Sequence, residues 1–407
     1  GHRILPKPQE LHVDQMAIQN QFPDVSEAAI AARITVSPAC PIPIAQLERD
    51  LERIRGLDLF GTVDYEVAYD EAGRSTLNIK TTEDPLGSTR LSFGLGLEDN
   101  FQGDATYSAS IALQMLELNS LGGEARFLGQ LGSRQRLLAD FYQPIEPTRR
   151  WYVRPFLDYH SYLQPFVYLD ERFADFQSRS LDAGGELGRT LGDFGVAFGG
   201  VFYRNTDVNL RTGDPVRFGA VEDNWDSSAF YLGVKHDSLD NYFFPKNGVF
   251  AETVYTQLED TESRDMIQGR LIAARTRGRH TFLFRGEMVV DDLVAGNWDG
   301  EEFSSGGFLR LSGYASIQVF ASRRAQGAIV CMKQLRTMLS DRVKLYSGAS
   351  METAWFDGPL SNVEIDRPVL AGSLFMAAET PLGPVFAGVG ATDTNQFSPF
   401  IAMGQVF

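Results

Sequence analysis

The chain has 407 residues, 37 Lys plus Arg against 53 Asp plus Glu, and a formal net charge of −16. That length exceeds one ordinary domain and can hold a large core, while the acidic balance argues against a phosphate-neutralising nucleic-acid surface. The two cysteines, Cys40 and Cys331, exclude a disulfide framework, and no apolar run reaches the roughly 18 residues that a membrane-spanning helix needs.

The opening GHRILPKPQE lacks the hydrophobic stretch of a cleavable signal, and residues 1–10 read as a linker or expression remnant, with the native chain expected to begin upstream. ELHVDQMAIQN at 10–20 alternates as a strand does, and SEAAIAARI at 26–34 opens a helix with Ser26 as N-cap. IAQLERDLERIRG at 44–56 sets Ile44, Leu47, Leu51 and Ile54 on one helical face and stops at Gly56. FGTVDYEVAY and RSTLNIKTT follow as strands around a turn at 70–73. This β-α-α-β-β order predicts a small α+β domain over 11–84, one sheet with two covering helices.

From 85 onward the helical spacing disappears. GSTRLSFGLGLE at 87–98 sets Leu91, Phe93, Leu95 and Leu97 against Arg90, Ser92, Gly94, Gly96 and Glu98, a period of two. Sixteen such segments are read, at 88–98, 104–116, 121–132, 134–143, 149–161, 177–191, 193–206, 226–238, 247–259, 264–277, 279–291, 322–337, 342–356, 369–379, 383–391 and 397–407. Tight links at 191–193, 277–279, 340–342 and 380–384 alternate with long ones at 162–176, 207–225, 292–321 and 357–368. An even strand number with short turns at one end and long loops at the other predicts a mainly β fold, a 16-stranded antiparallel transmembrane β-barrel over 85–407.

The faces agree. In WYVRPFLDYH, Trp151, Val153, Pro155, Leu157 and Tyr159 oppose Arg150, Arg154, Asp158 and His160; in the strand at 342–356, Met351 and Trp355 oppose Lys344, Ser350 and Glu352. Charge on the polar face of strand after strand fits a wet or plugged lumen, and a closed barrel satisfies every backbone group in lipid, which the apolar face would meet. Tyr107, Phe141, Tyr142, Trp151, Trp355 and Phe356 are expected in interfacial girdles. The alternative is a large soluble β-protein whose sheets pack face to face.

Sixteen strands behind a small α+β domain, with a loop at 292–321, resemble the outer-membrane polypeptide transporters that carry POTRA domains, over essentially the whole chain from residue 11. GGFLRLSGYAS at 306–316 looks like that family's Arg-Gly-Phe/Tyr loop motif: Gly313 and Tyr314 match, Ser312 stands where arginine is expected, and Arg310 is the candidate substitute. In the family that arginine anchors the loop against strand residues in the lumen, and Glu352 is the candidate partner here. TPLGPVFAGVG resembles the penultimate hairpin through Thr380, Pro381, Gly383 and Pro384, and DNYFFPKNGVF a further family turn through Pro245 and Gly248; proline and glycine mark turns in any protein. The last strand, with Phe400 and the terminal Phe407, resembles the closing strand that barrel-assembly machinery recognises. SPACPIPIAQLERDLERIRGLDLFGTVDYEV is similar to a POTRA pattern, with Leu51, Ile54, Phe60 and Val63 as its core.

One POTRA joined to sixteen strands resembles the translocator half of the patatin-like autotransporters, the type Vd class exemplified by PlpD, in which a secreted lipase precedes the POTRA. The resemblance implies secretion or display of an N-terminally attached passenger, in the bacterial outer membrane with the POTRA in the periplasm. It also implies as partners the bilayer with its lipopolysaccharide, the passenger in cis, the assembly machinery and a second copy of the chain. An outer-membrane insertase, a two-partner secretion transporter and a passive porin are the alternatives. No catalysis is expected in the chain itself: GASME at 348–352 is not a G-x-S-x-G elbow, Ser350 reads as a lumen residue, and no H-E-x-x-H, phosphate loop or Cys/His metal spacing occurs. No metal or cofactor is expected, and His160 and His280 read as ordinary strand or turn residues. The arginines of RRAQG at 323–327 and RTRGRH at 275–280 read as turn or lumen residues that can hold an inserted loop. Gly94 and Gly96 in the first strand and Pro399 in the last, which lacks a ladder donor, predict a weak seam.

Overall fold

The computed structural model describes residues 10–21, 27–31, 34–38, 40–55, 60–83, 88–101, 105–168, 171–213, 222–241, 244–260, 263–292, 304–316, 318–335, 343–358, 367–380 and 383–404. The chain forms two compact units, one gathering the segment up to Leu91 with 113–127 and 140–154, the other 92–112, 128–139 and everything from Pro155.

In the first unit, β1 (Glu10–Leu11), β2 (Gln15–Asn20), α1 (Glu27–Ala31), β3 (Ile42–Pro43), α2 (Ile44–Arg55), β4 (Phe60–Tyr69) and β5 (Ser75–Glu83) make the small domain. Its sheet runs β2-β5-β4, with β5 parallel to β2 and antiparallel to β4. Spacing of three and four residues puts Leu47, Leu51 and Ile54 on one face of α2, and all three are buried with Ile30, Val63, Leu77, Ile79 and Leu116. Asp50 is the polar exception on that face: buried, it accepts the N–H groups of Thr35 at 2.7 Å and Val36 at 3.1 Å, which compensates its desolvation. Phe60 begins β4 with its side chain outside the described residues, as are Ser26 and Gly56.

The larger sheet is built from β6 (Thr89–Asp99), β7 (Ala105–Met115), β8 (Glu124–Gly132), β9 (Arg134–Pro144), β10 (Trp151–Tyr168), β11 (Glu171–Thr190), β12 (Val196–Thr212), β13 (Glu222–Asp237), β14 (Asn247–Glu259), β15 (Ser263–Arg277) and β16 (His280–Asp291). An inserted hairpin of β17 (Ser304–Ser305) and β18 (Val319–Phe320) follows, then β19 (Arg323–Gln334), β20 (Lys344–Asp357), β21 (Val369–Thr380), β22 (Gly383–Thr392) and β23 (Phe397–Met403). Without the inserted pair, these sixteen strands close into one barrel, β23 returning antiparallel to β6. Closure removes the sheet edges.

Every barrel strand carries at least one exposed large hydrophobic side chain, among them Phe93 at 75% and Met351 at 77% exposure, and Leu91, Leu95 and Leu97 flank Phe93 on β6. A contiguous apolar girdle of that extent is foreign to monomeric soluble proteins. A single closed sheet also has no second sheet to cover this face, which removes the sandwich alternative. Among the described residues no helix is long and apolar enough to cross a membrane.

Three expectations need correction. Within the expected loops, residues 162–168, 171–176, 207–212 and 222–225 are strand: β11 and β12 stay paired up to Asp175↔Thr212, with Arg179 opposite Asp207. There both faces carry polar side chains, so the period of two that marks a strand is lost while the ladder continues. Phe356 is buried with Leu311 and Tyr314 of the inserted loop instead of lying in a girdle. The inner face of β21–β23 is apolar, with Phe375, Ala377, Phe386, Phe400 and Ala402 buried in one cluster.

Candidate functional site

The inserted loop fixes the site. Its tip folds on itself through Gly306 N–H to Arg310 O at 3.1 Å, Gly307 N–H to Tyr314 O at 3.0 Å and Tyr314 N–H to Leu311 O at 2.9 Å. Leu309 and Leu311 both hold positive φ, 61° and 90°, a conformation that costs energy in a branched residue and persists only where surroundings impose it. The imposing groups are visible. Glu352 of β20, buried, accepts Leu311 N–H at 2.9 Å, Ser312 N–H at 2.8 Å, the Ser312 hydroxyl at 2.5 Å and the Ser350 hydroxyl at 2.5 Å. The Ser312 hydroxyl in turn accepts Leu309 N–H at 3.1 Å.

Glu352 and Ser312 are thus brought together, with backbone amides and a hydroxyl serving where an arginine was expected. Arg310 lies instead on a polar lumenal cavity beside Glu287, Arg270 and Arg324; the expected substitution by Arg310 is replaced by Ser312 itself. Gly313 lies against the β22–β23 turn so closely that a Cβ would sit 2.7 Å from Thr392 Cγ2 and 2.8 Å from Gln396 O, and the Tyr314 hydroxyl meets that of Thr394 at 2.8 Å. The loop's base is tied to β19: Arg324 donates to the Ser304 carbonyl and to Glu287 at 2.7 Å, and the Ser305 hydroxyl donates to Gln326 at 2.6 Å.

Phe308, at the loop tip, enters an aromatic layer built on the inner wall. Its ring centroid lies 4.4 Å from Phe400, 5.0 Å from Phe375 and 5.2 Å from Phe386. The turn between β13 and β14 contributes Phe244, 1% exposed, 4.7 Å from Tyr346 and 6.0 Å from Phe386. Pro245 and Gly248 shape that turn: Gly248 has φ +110°, and a Cβ there would collide with the Ser238 carbonyl. Asp240 caps it, accepting Lys246 N–H at 2.8 Å and the Asn247 amide at 3.2 Å. Burial raises the Asp240 carboxyl, but the N–H groups of Lys246 and Asn247 outweigh burial and hold it below the ordinary carboxylate value. Lys246 reaches Glu379 of β21 at 3.0 Å, and the Tyr346 hydroxyl donates to the same carboxylate at 3.0 Å. Phe244 and Phe308 carry no periodic signal, so sequence patterning passed over both.

At the penultimate hairpin, the Thr380 hydroxyl donates to Gly383 O at 2.6 Å, Gly383 has φ +111°, and Pro384 O accepts Gly404 N–H at 3.0 Å; Pro381 and Phe407 lie outside the described residues. Between β23 and β6 the described residues show three register pairs, Ile401↔Asp99, Ala402↔Glu98 and Met403↔Leu97, against ten between β21 and β22. Among the described residues, a cavity of about 560 Å³ lies between the loop and the inner wall, where six arginines face four carboxylates. A second cavity of about 350 Å³ lies between the loop tip and the inner faces of β6 and β7. Among the described residues no group of three or more His, Cys, Asp and Glu is arranged to hold a metal.

No family model and no curated protein matches the chain. Among solved structures the fold is similar to BamA from Haemophilus ducreyi lacking POTRA domains 1–3, with a TM-score of 0.68, 11% identity, and coverage of 97% of this chain and 85% of that one. It is also similar to CdiB from Acinetobacter baumannii (TM-score 0.64, 12% identity, 98% and 74% covered) and to CdiB from Escherichia coli (0.57, 11%, 96% and 76%). At such identity the likeness is one of fold.

Proposed function

We propose that this chain is an outer-membrane transporter of polypeptides, with the α+β domain of residues 11–84 a periplasmic POTRA and residues 85–407 the translocating barrel. The observation that carries the reading is a closed sixteen-stranded barrel with a loop anchored inside it, next to the strands β23 and β6 that close it. The POTRA would present the edge of its three-stranded sheet to an extended segment, and the barrel would admit that segment through the lumen or the seam. The likeness of fold to BamA and CdiB supports a transporter or insertase of this kind.

The passenger is proposed to be attached N-terminally, as a patatin-like lipase, on the strength of the single-POTRA resemblance. Intact mass and N-terminal sequence of the native polypeptide test this: an upstream domain of about 300 residues with a G-x-S-x-G serine is the expected finding, and further POTRA repeats or none overturn it. A second reading, an insertase, is favoured by the likeness of fold to BamA. Proteoliposomes that accelerate insertion of a separate unfolded barrel would select it.

A further inference from the structure

Glu98 stands on the seam itself, directly opposite Ala402. Its Oε1 accepts the N–H of Phe308 at 3.1 Å, from a residue 210 positions away. The preceding Gly307, with φ +88°, packs so tightly on that carboxylate that a Cβ would collide with the same oxygen. The Phe308 ring lies over Phe400 of β23, 4.4 Å between centroids with 25° between planes. Glu98 belongs to the first barrel strand and Phe400 to the last, so one loop residue grips both sides of the closure, one through its backbone and the other through its ring.

We infer that Gly307–Phe308 is a clasp across the seam, with Glu98 and Phe400 as positioning residues that hold the first and last strands in register, and that the seam parts only once the clasp has released. The loop's other anchor, Glu352, stands on β20, three strands from β23 in the barrel order, and holds Leu311 and Ser312 instead of Gly307 and Phe308. Release at Glu98 therefore opens the seam while the loop stays docked, whereas a loop that merely fills space would leave the seam indifferent to Glu98. The functional meaning of this opening rests on the transport reading proposed above; the seam itself is measured with no passenger present, so the two fail separately.

The test uses the full chain in lipid nanodiscs, with Cys40 and Cys331 changed to serine and spin labels at Leu131 of β8 and Leu374 of β21, both outward-facing and each two strands back from the seam. Electron–electron distance distributions are compared for the parent, Glu98→Ala, Glu98→Gln and Phe308→Ala, with trypsin cleavage after Arg310 reporting whether the loop has left the lumen. The clasp predicts at least a threefold larger separated population in Glu98→Ala and Phe308→Ala, Arg310 remaining resistant in Glu98→Ala. Glu98→Gln, whose amide oxygen still accepts the Phe308 N–H and which preserves the fold if alanine does not, stays close to the parent. Unchanged distributions in both truncations overturn the inference, as does opening of the seam only in step with cleavage at Arg310. Absence of secretion by the parent chain, with the clasp behaving as inferred, counts against the transport reading alone.

Discussion

Replacing Glu352 separates two explanations of how the loop is held, because the glutamine and alanine variants differ in what they leave unsatisfied. In Glu352→Gln the amide oxygen can face the Leu311 and Ser312 N–H groups, now bonded at 2.9 and 2.8 Å. The new NH₂ then meets two hydroxyls, and Ser350 can redirect its proton to the Ser373 hydroxyl at 2.6 Å. What is lost is charge assistance, about 1 kcal/mol. Glu352→Ala leaves two buried amides without an acceptor at about 1–3 kcal/mol each, about 2–6 kcal/mol together. A midpoint near 4 kcal/mol raises the undocked population on the order of a thousandfold, against less than tenfold for glutamine. Arg310 in the loop is a trypsin site that becomes reachable on undocking, so cleavage rates after Arg310 under native conditions read the population directly. Equal rates for both variants would refute the accounting, and rates equal to the parent would assign the loop's position to its other contacts, the aromatic layer, Glu98 and the ties at its base.

Truncating Phe244→Ala removes a ring buried against Tyr346 and Phe386; the expected cost is about 3–5 kcal/mol, together with raised ion conductance in planar bilayers, and unchanged conductance would show that the layer does not seal the lumen. Gly248→Ala forces a positive φ on alanine and drives its Cβ into the Ser238 carbonyl, for an expected loss of about 1–3 kcal/mol in urea unfolding from lipid, whereas Gly185→Ala, with nothing within 4 Å of its Cβ, is expected within about 0.5 kcal/mol of the parent. Asp14 is held below its ordinary value of 3.8 by the Ser75 N–H and then the Ser75 hydroxyl, at 2.7 and 3.0 Å. A depressed folded value means that this tie is complete above the ordinary value and is lost as pH falls through the lowered one, so a carboxyl ¹³C titration should place Asp14 low, and Ser75→Ala should move it upward.

Much of the barrel was legible because a closed sheet with an apolar outer face and a lumenal inner face imposes a period of two on nearly every strand. The sixteen segments read from alternation correspond in order to the sixteen strands observed. Legibility stopped where the two faces ceased to differ. Above the apolar girdle, Arg179 and Asp207 pair across strands whose faces are both polar, and on β21 inward Phe375 and Ala377 alternate with outward Leu374 and Met376, both sets apolar. At the site, Glu352 stood out as a carboxylate on a lumenal face near the end of the chain, and Ser312, Gly313 and Tyr314 by their motif. Phe308, Phe244 and Glu98 were unreadable for a different reason: each acts through a partner far away in sequence, on an element whose position only the closed barrel defines.

The loop's attachments also say something about the order in which such a barrel can be made. Among the described contacts, the loop tip meets residues that come later in the chain, Glu352, Phe375, Phe386, Thr392 and Phe400, and also Glu98, which comes much earlier. Contacts of such sequence separation form late, because their loop-closure entropy must be met first. The loop would therefore dock as the last five strands close around it, as a mould closes around a mandrel, and the first strand would be captured last, when Glu98 finds an amide already waiting for it.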